Sequence, residues 1–285
     1  MPKEEPRLPV RKMYKLYING AFVRSESGRS DSSNIALASR KDARDAVVAA
    51  RAAQSKWAAI TPGTRGLILY RLSEMLEARR DEFAARLREG AGLSESEARA
   101  EVAATIDRTV WYAGWCDKFA ALLSTRNPVG GPHFNFSSAE PMGVVAVLAP
   151  DEPSLLGLVS TMLPPLVAGN ALVVMASQTD PRTAITLAEA LATSDVPGGV
   201  VNILTGLRSE VAPHLAKHMD VNAIAMSGTE SDLATELQRF SADNVKRTRI
   251  LPTRTRRAWF DSKSQSLDDI ASYCEIKTIW HPAGV

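Results

Sequence analysis

Residues 143–150 read GVVAVLAP. An apolar run without polar alternation marks a strand buried on both faces, as in a parallel sheet covered by helices. Three more runs of this build follow: ALVVMA at 171–176, VVNIL at 200–204 and NAIAM at 222–226. Helical stretches separate them, at 155–168, 181–193, 208–218 and 232–240, with short turns of Gly, Asn and Pro between. This alternation predicts right-handed crossovers and an α/β fold, a three-layer Rossmann-like parallel sheet. One segment imitates a membrane span, because Leu155 to Thr179 carries no charge. Pro164-Pro165 and Gly169-Asn170 interrupt it, so helix, turn and buried strand is the expected reading.

Upstream, YKLYINGAFVR (14–24) alternates around Asn19-Gly20, a hairpin signal. From Ser39 the period is helical, with Ala46, Ala50, Ala53 and Trp57 on one face. Thr61-Pro62 supplies a cap and an N1 proline for a helix carrying Leu69, Leu72 and Leu76. Ser94 and Glu97 form a capping box before a long helix whose expected stripe is Val102, Ile106, Val110 and Ala113. TRNPVGGPHFNFS (125–137) reads as a loop feeding an extended or hairpin segment. Downstream, KRTRILPTRTRR (246–257) holds six basic residues and is expected to be a solvated loop, or a contact for an anionic partner. A short helix at 267–274 and a last strand, CEIKTIW at 274–280, close the chain before Pro282.

The 285 residues carry 34 Lys+Arg against 32 Asp+Glu, a formal charge of +2, with 45% hydrophobic and 23% charged residues. Those values exclude a disordered chain, a collagen-like fibre and a disulfide scaffold. The near-neutral balance argues against binding nucleic acid over the whole surface. Cys116 and Cys274 make no metal spacing and fit a reducing, cytoplasmic compartment. MPKEEPRLPVRK at the start lacks the apolar core of a signal peptide.

GVVAVLAP, PPLVAGNALVVMASQTDP, VPGGVVNILTG and AIAMSGTE, in this order and spacing, resemble the cofactor half of the aldehyde dehydrogenase family. LYINGAFVRSESG, the SKWAA helix and WYAGWCDKF agree, and YCEIKTIW looks like the family's closing oligomerisation strand. The resemblance implies a cofactor-type α/β domain at 14–124 and 143–257, a β oligomerisation element at 125–142 and 258–285, and a flexible tail at 1–13. It also implies a catalytic domain after the basic segment, with a thiol nucleophile in a Gly-Gln-x-Cys setting. No such motif is present in this chain, which passes almost directly to the closing strand.

Other positions depart from the resembled pattern. Glu152 falls where the family presents an Asn amide to an oxyanion, and a carboxylate would repel that charge. The family's general base falls near Ile250 or Leu251, neither of which can take a proton. Met175 and Gln178 stand at positions that bind cofactor hydroxyls, and Leu233 replaces a glycine beside the pyrophosphate and should crowd it. Ser227, Gly228 and Thr229 are left as a vestigial cofactor loop. No cofactor is therefore expected, residual NAD(P) binding being the alternative. No catalytic and no metal-binding residue is assigned.

The remaining candidates have ordinary explanations. His214 and His218 share a helix face, but a zinc site needs further ligands and none is near in sequence. Asp180 and Asp195 sit at helix ends, where capping accounts for them. An adjacent Glu275 works against a reactive Cys274 thiolate. The chain thus reads as a pseudoenzyme, inactive alone, that forms a homodimer or joins a complete aldehyde dehydrogenase, without nucleic acid or membrane as partner. Two alternatives stay open: an NAD(P)-dependent aldehyde oxidoreductase completed by a partner chain, and a small-molecule sensor using the remnant crevice.

Overall fold

The structure is a computed structural model that describes residues 10–228 and 230–283; the start of the expected tail and Thr229 of the expected loop lie outside the described residues. The hairpin forms as β1 (Leu16–Ile18) and β2 (Ala21–Val23). Asn19 and Gly20 between them take φ of 53° and 77°, which a two-residue hairpin turn requires and these residue types tolerate. Four helices follow: α1 (Arg40–Ala59), α2 (Pro62–Ala78), α3 (Arg80–Ala91) and α4 (Glu95–Ala113). The capping boxes at Ser39 and Ser94 and the Thr61 cap start three of them. A short α5 (Phe119–Leu123) leads to β3 (Thr125–Asn127) and β4 (His133–Pro141).

The alternating region then runs β5 (Val144–Leu148), α6 (Leu156–Val167), β6 (Ala171–Met175), α7 (Pro181–Leu191), β7 (Val201–Leu204), α8 (Arg208–Lys217), β8 (Ala223–Ser227), α9 (Ser231–Ala242) and β9 (Arg247–Leu251). After it come α10 (Arg256–Phe260), α11 (Leu267–Ala271) and β10 (Cys274–Pro282). The large sheet has the order β2-β1-β7-β6-β5-β8-β9. Its five members from β7 to β9 are parallel, and the N-terminal hairpin extends it antiparallel beside β7. A separate sheet has the order β10-β4-β3. Among the described residues no helix is long and apolar enough to cross a membrane.

Strands β5, β6 and β8 are buried along their whole length, as helices on both faces dictate. Buried asparagines fasten their entry ends. Asn170 Oδ1 accepts from the Gly143 N–H at 2.8 Å, and its amide donates to the carbonyls of Pro165 (3.0 Å) and Tyr273 (2.9 Å). Asn222 Oδ1 accepts from the Val144 N–H at 3.0 Å. Gly143 must be glycine here: at φ 132° a Cβ would lie 2.2 Å from Asn222 Oδ1.

Three expectations change. Pro164 and Pro165 do not break α6, which runs through them to Val167; both sit in its last turn, where little helix is left to disrupt. The break falls at Gly169-Asn170. The expected stripe of α4 holds at Val102, Ile106 and Ala113, which join the core, but Val110 is 41% exposed, and the buried face widens to take in Glu101, Thr105, Arg108 and Thr109. These polar residues have partners from distant segments. Arg108 donates to Ser160 Oγ (2.8 Å) and to the carbonyls of Ser264 (2.9 Å) and Trp259 (2.9 Å). Glu101 accepts from the N–H groups of Leu155 (2.9 Å) and Leu156 (3.2 Å) at the start of α6, and from Arg256 at 2.6 Å.

The basic run is the third correction. Apart from Lys246, only residues 252–255 stay a loop, while residues 247–251 form the edge strand β9 and Arg256 opens α10. Alternate residues of a strand share a face, which directs Arg247 and Arg249 together toward the closing segment. Arg247 donates to the Cys274 carbonyl (2.9 Å) and pairs with Glu275 (3.0 Å), and Arg249 pairs with Asp269 (2.6 Å). Lys246, 8% exposed, donates to the carbonyls of His218 and Val221. The charges are ties between segments.

Arg108→Met should therefore loosen residues 256–266 and lower stability by about 3 kcal/mol, because hydrogen bonds from a charged donor contribute about 1.5–3 kcal/mol each. Urea unfolding measures the loss, and limited proteolysis should locate the first cuts in that segment.

Candidate functional site

In open α/β sheets ligands bind where the strand order reverses, outside the carboxyl ends of the strands. Here the chain enters at β5, proceeds through β6 and β7 on one side, and returns to β8 and β9 on the other. A crevice of about 160 Å³ lies at that reversal, lined by Pro150, Asp151 and Glu152 after β5 and by Ser227, Gly228 and Glu230 around the end of β8. Pro252, Thr253 and Arg254 after β9, together with Trp259, complete the wall; Arg254 stacks 5.0 Å from the Trp259 ring.

The floor is the guanidinium of Arg208, 1% exposed and projecting from the first residue of α8. Its Nη2 donates to the Ala149 carbonyl and to Asp151 Oδ1 (2.8 Å). Its Nη1 donates to Asp151 Oδ2 (3.2 Å) and Glu230 Oε1 (2.9 Å). Gln178 closes the ring: its Oε1 accepts from the Arg208 N–H (3.0 Å), and its own N–H donates to Asp151 Oδ1 (2.7 Å). Each strand from β5 to β8 therefore hands one polar residue to a single network. A guanidinium suits this task because its five donors form a fixed fork. Gly228 beside it takes φ 140°, a backbone conformation that favours glycine.

Of the three loop residues singled out in the sequence, the structure brings Ser227 and Gly228 to the crevice; Thr229 lies outside the described residues. Ser227 is 2% exposed and its hydroxyl has no partner among the described residues. Glu152 stands exposed at the crevice mouth. Leu233 does not crowd the crevice as expected; it turns into the core beside Met226 and Leu237, and Met175 is buried in the same core. Ile250 and Leu251 are residues of β9 and bring no titratable group.

Neither thiol is poised to react. Burial pushes Cys116 up to about 12, with Arg65 opposing only in part, and Cys274 up to about 11, where Arg247 opposes and Glu275 adds. A thiol whose folded pKa lies above the unfolded one stabilises the fold fully below the unfolded value and loses that effect as pH rises through 11 to 12. His214 and His218 flank a surface cleft with Arg40 and Lys217; burial first, then these cations for His214, lowers their pKa values. No group of three or more potential ligands is placed to hold a metal ion among the described residues.

Comparison with known proteins agrees with this frame. The aldehyde dehydrogenase family profile matches residues 23–250. This chain belongs to the aldehyde dehydrogenase family. It is 30% identical over 262 residues to cytosolic 10-formyltetrahydrofolate dehydrogenase of Xenopus laevis, covering 87% of this chain and 29% of that one. It is 28% identical over 258 residues to an aldehyde dehydrogenase of Emericella nidulans, covering 87% and 51%. An aldehyde dehydrogenase from Bacillus cereus, solved as its NAD+ complex, superposes with a TM-score of 0.79 at 26% identity over 84% of this chain and 50% of that one. The chain thus spans about half or less of the length of these aldehyde dehydrogenases.

Three carboxylates, Asp151, Glu152 and Glu230, line the crevice together with two guanidinium groups, Arg208 and Arg254, and its volume of about 160 Å³ is below the roughly 300–1,000 Å³ usual for ligand clefts. Sequence reasoning passed over Arg208 and Asp151. The signal was their spacing: Asp151, Gln178, Arg208 and Glu230 each fall just past the end of a successive apolar run.

Two outcomes are expected. A thiol reagent at pH 8 should label neither Cys116 nor Cys274 in the native protein within minutes, and both after unfolding in guanidinium. Arg208→Met should lower stability by about 2–3 kcal/mol in urea unfolding, a loss discounted because both partner carboxylates are only half-buried.

Proposed function

We propose that this chain is a non-catalytic aldehyde dehydrogenase homologue acting as a structural or assembly subunit, paired with itself or with a complete aldehyde dehydrogenase. The observation that carries the reading is β10. It pairs with β4 over nine residues without a bulge, Cys274 opposite Pro141 through Pro282 opposite His133, and its other edge has no strand beside it among the described residues. Such an edge is a template for another chain. Ile276 and Trp280 on it are 58% and 60% exposed. The Arg208 network supports the non-catalytic half of the proposal, since internal ion pairs hold the floor of the crevice at the strand-order reversal, where folds of this class bind ligands.

Sedimentation of the purified chain, and co-purification with a complete aldehyde dehydrogenase at measured stoichiometry, test the proposal. A defined oligomer is expected by one route or the other. A monomer at micromolar concentration that captures no dehydrogenase would overturn it.

The unpartnered Ser227 hydroxyl favours a second reading, a sensor for a small molecule in the crevice. Calorimetry separates the possibilities. NAD and NADP are expected to give no micromolar binding; a micromolar signal would instead favour an enzyme completed by a partner chain. A rise in melting temperature with an aldehyde or mononucleotide would support the sensor.

A further inference from the structure

We propose that β10 pairs with β10 of a second copy of this chain, antiparallel about a two-fold axis at Thr278. The inference rests on the assembly reading above and names its partner and register.

A symmetric antiparallel pair of identical strands must place one residue opposite itself, because hydrogen-bonded and non-bonded pairs alternate along the ladder. Thr278 is the midpoint of Cys274–Pro282, so an axis there engages the whole strand. In that register Ile276 meets the partner copy's Trp280 on one face of the joined sheet. Both are exposed in the single chain. Directly opposed aromatic and β-branched residues stabilise a sheet by about 0.2–1 kcal/mol per pair, and the two-fold makes this pair twice. On the other face Glu275, the strand's one carboxylate, meets the partner copy's His281.

Neighbouring registers are worse. An axis at Lys277 sets that ammonium against its own copy, and an axis at Ile279 sets Ile276 against the partner's Pro282 and parts it from Trp280. Like charges directly opposite destabilise a ladder. At Thr278 no like charges face each other. Lys277 then lies opposite Ile279, with its ammonium already drawn to Glu140 of its own chain at 3.4 Å. Glu275 similarly keeps Arg247 at 3.0 Å, which leaves its second oxygen for the partner.

The groups behind the edge are also arranged to hold it straight. Asn127 donates to Asn135 Oδ1 (2.5 Å) and Ser137 Oγ (2.9 Å), and Ser137 exchanges a hydrogen bond with Thr278 (2.9 Å). Thr278 is thus tied across all three strands of the sheet at the proposed axis.

Disulfide trapping in the full chain tests the register. Opposed residues lie about 4.5–5.5 Å apart between Cα atoms, within the 4.4–6.8 Å span of a disulfide. Under mild oxidation T278C should link to itself in most molecules. I276C and W280C should each stay largely unlinked alone and link when mixed. Trp280→Asp should weaken self-association at least tenfold in sedimentation, with the circular dichroism spectrum unchanged. Self-linking of K277C in preference to T278C would overturn the register. A chain that is monomeric alone yet binds a complete aldehyde dehydrogenase would overturn self-pairing and leave the assembly reading standing. A chain that does neither would overturn both.

Discussion

The guanidinium of Arg208 governs the carboxyl edge of the parallel sheet. Four loops end there, each bringing backbone or side-chain polarity to one buried guanidinium. A fold of this class usually leaves that edge open to a ligand. Here one buried cation bonds the carbonyl after β5, the carboxylate of Asp151 and that of Glu230, and takes Gln178 as a brace. The edge is satisfied from within. A ligand entering it meets a guanidinium fork already engaged by two carboxylates.

The same logic recurs at the other buried polar groups. Asn170 joins the entry of β5, the end of α6 and the turn before β10. Glu101 caps α6 and receives Arg256. Arg108 binds carbonyls from the segment that bridges β9 and β10. Residues 252–273, which stand where the resembled family would place its catalytic domain, are thereby fastened to the helical layer. Each of these groups is costly to leave unpaired, so each fixes one arrangement of the segments it joins.

The small sheet carries two free edges of very different length among the described residues. β3 offers a three-residue edge, too short to template much, whereas β10 offers nine. The proposed assembly role and its two-fold register both follow from that asymmetry. The chain keeps the fold of the part of the family that it matches.

The sequence by itself determined the parallel sheet, because short, Val-rich apolar runs such as VVAVL and ALVVM, bounded by Gly, Asn and Pro, read as strands covered on both sides. It also determined the hairpin at Asn19-Gly20 and the helix starts at Ser39, Thr61 and Ser94, since these depend on residues adjacent in the chain. Only the tertiary structure decided what the charges do. Arg108, Arg208 and Arg247 look alike in the sequence as basic residues in ordinary helical or basic stretches. Their partners lie 25 to more than 150 residues away in some cases, as with Ser272 for Arg247 and Ser264 for Arg108. Local pattern reports which backbone period a residue joins. It carries no record of which carbonyl or carboxylate the folded chain will bring to a side chain's tip, and at this crevice that meeting decides what the protein can hold.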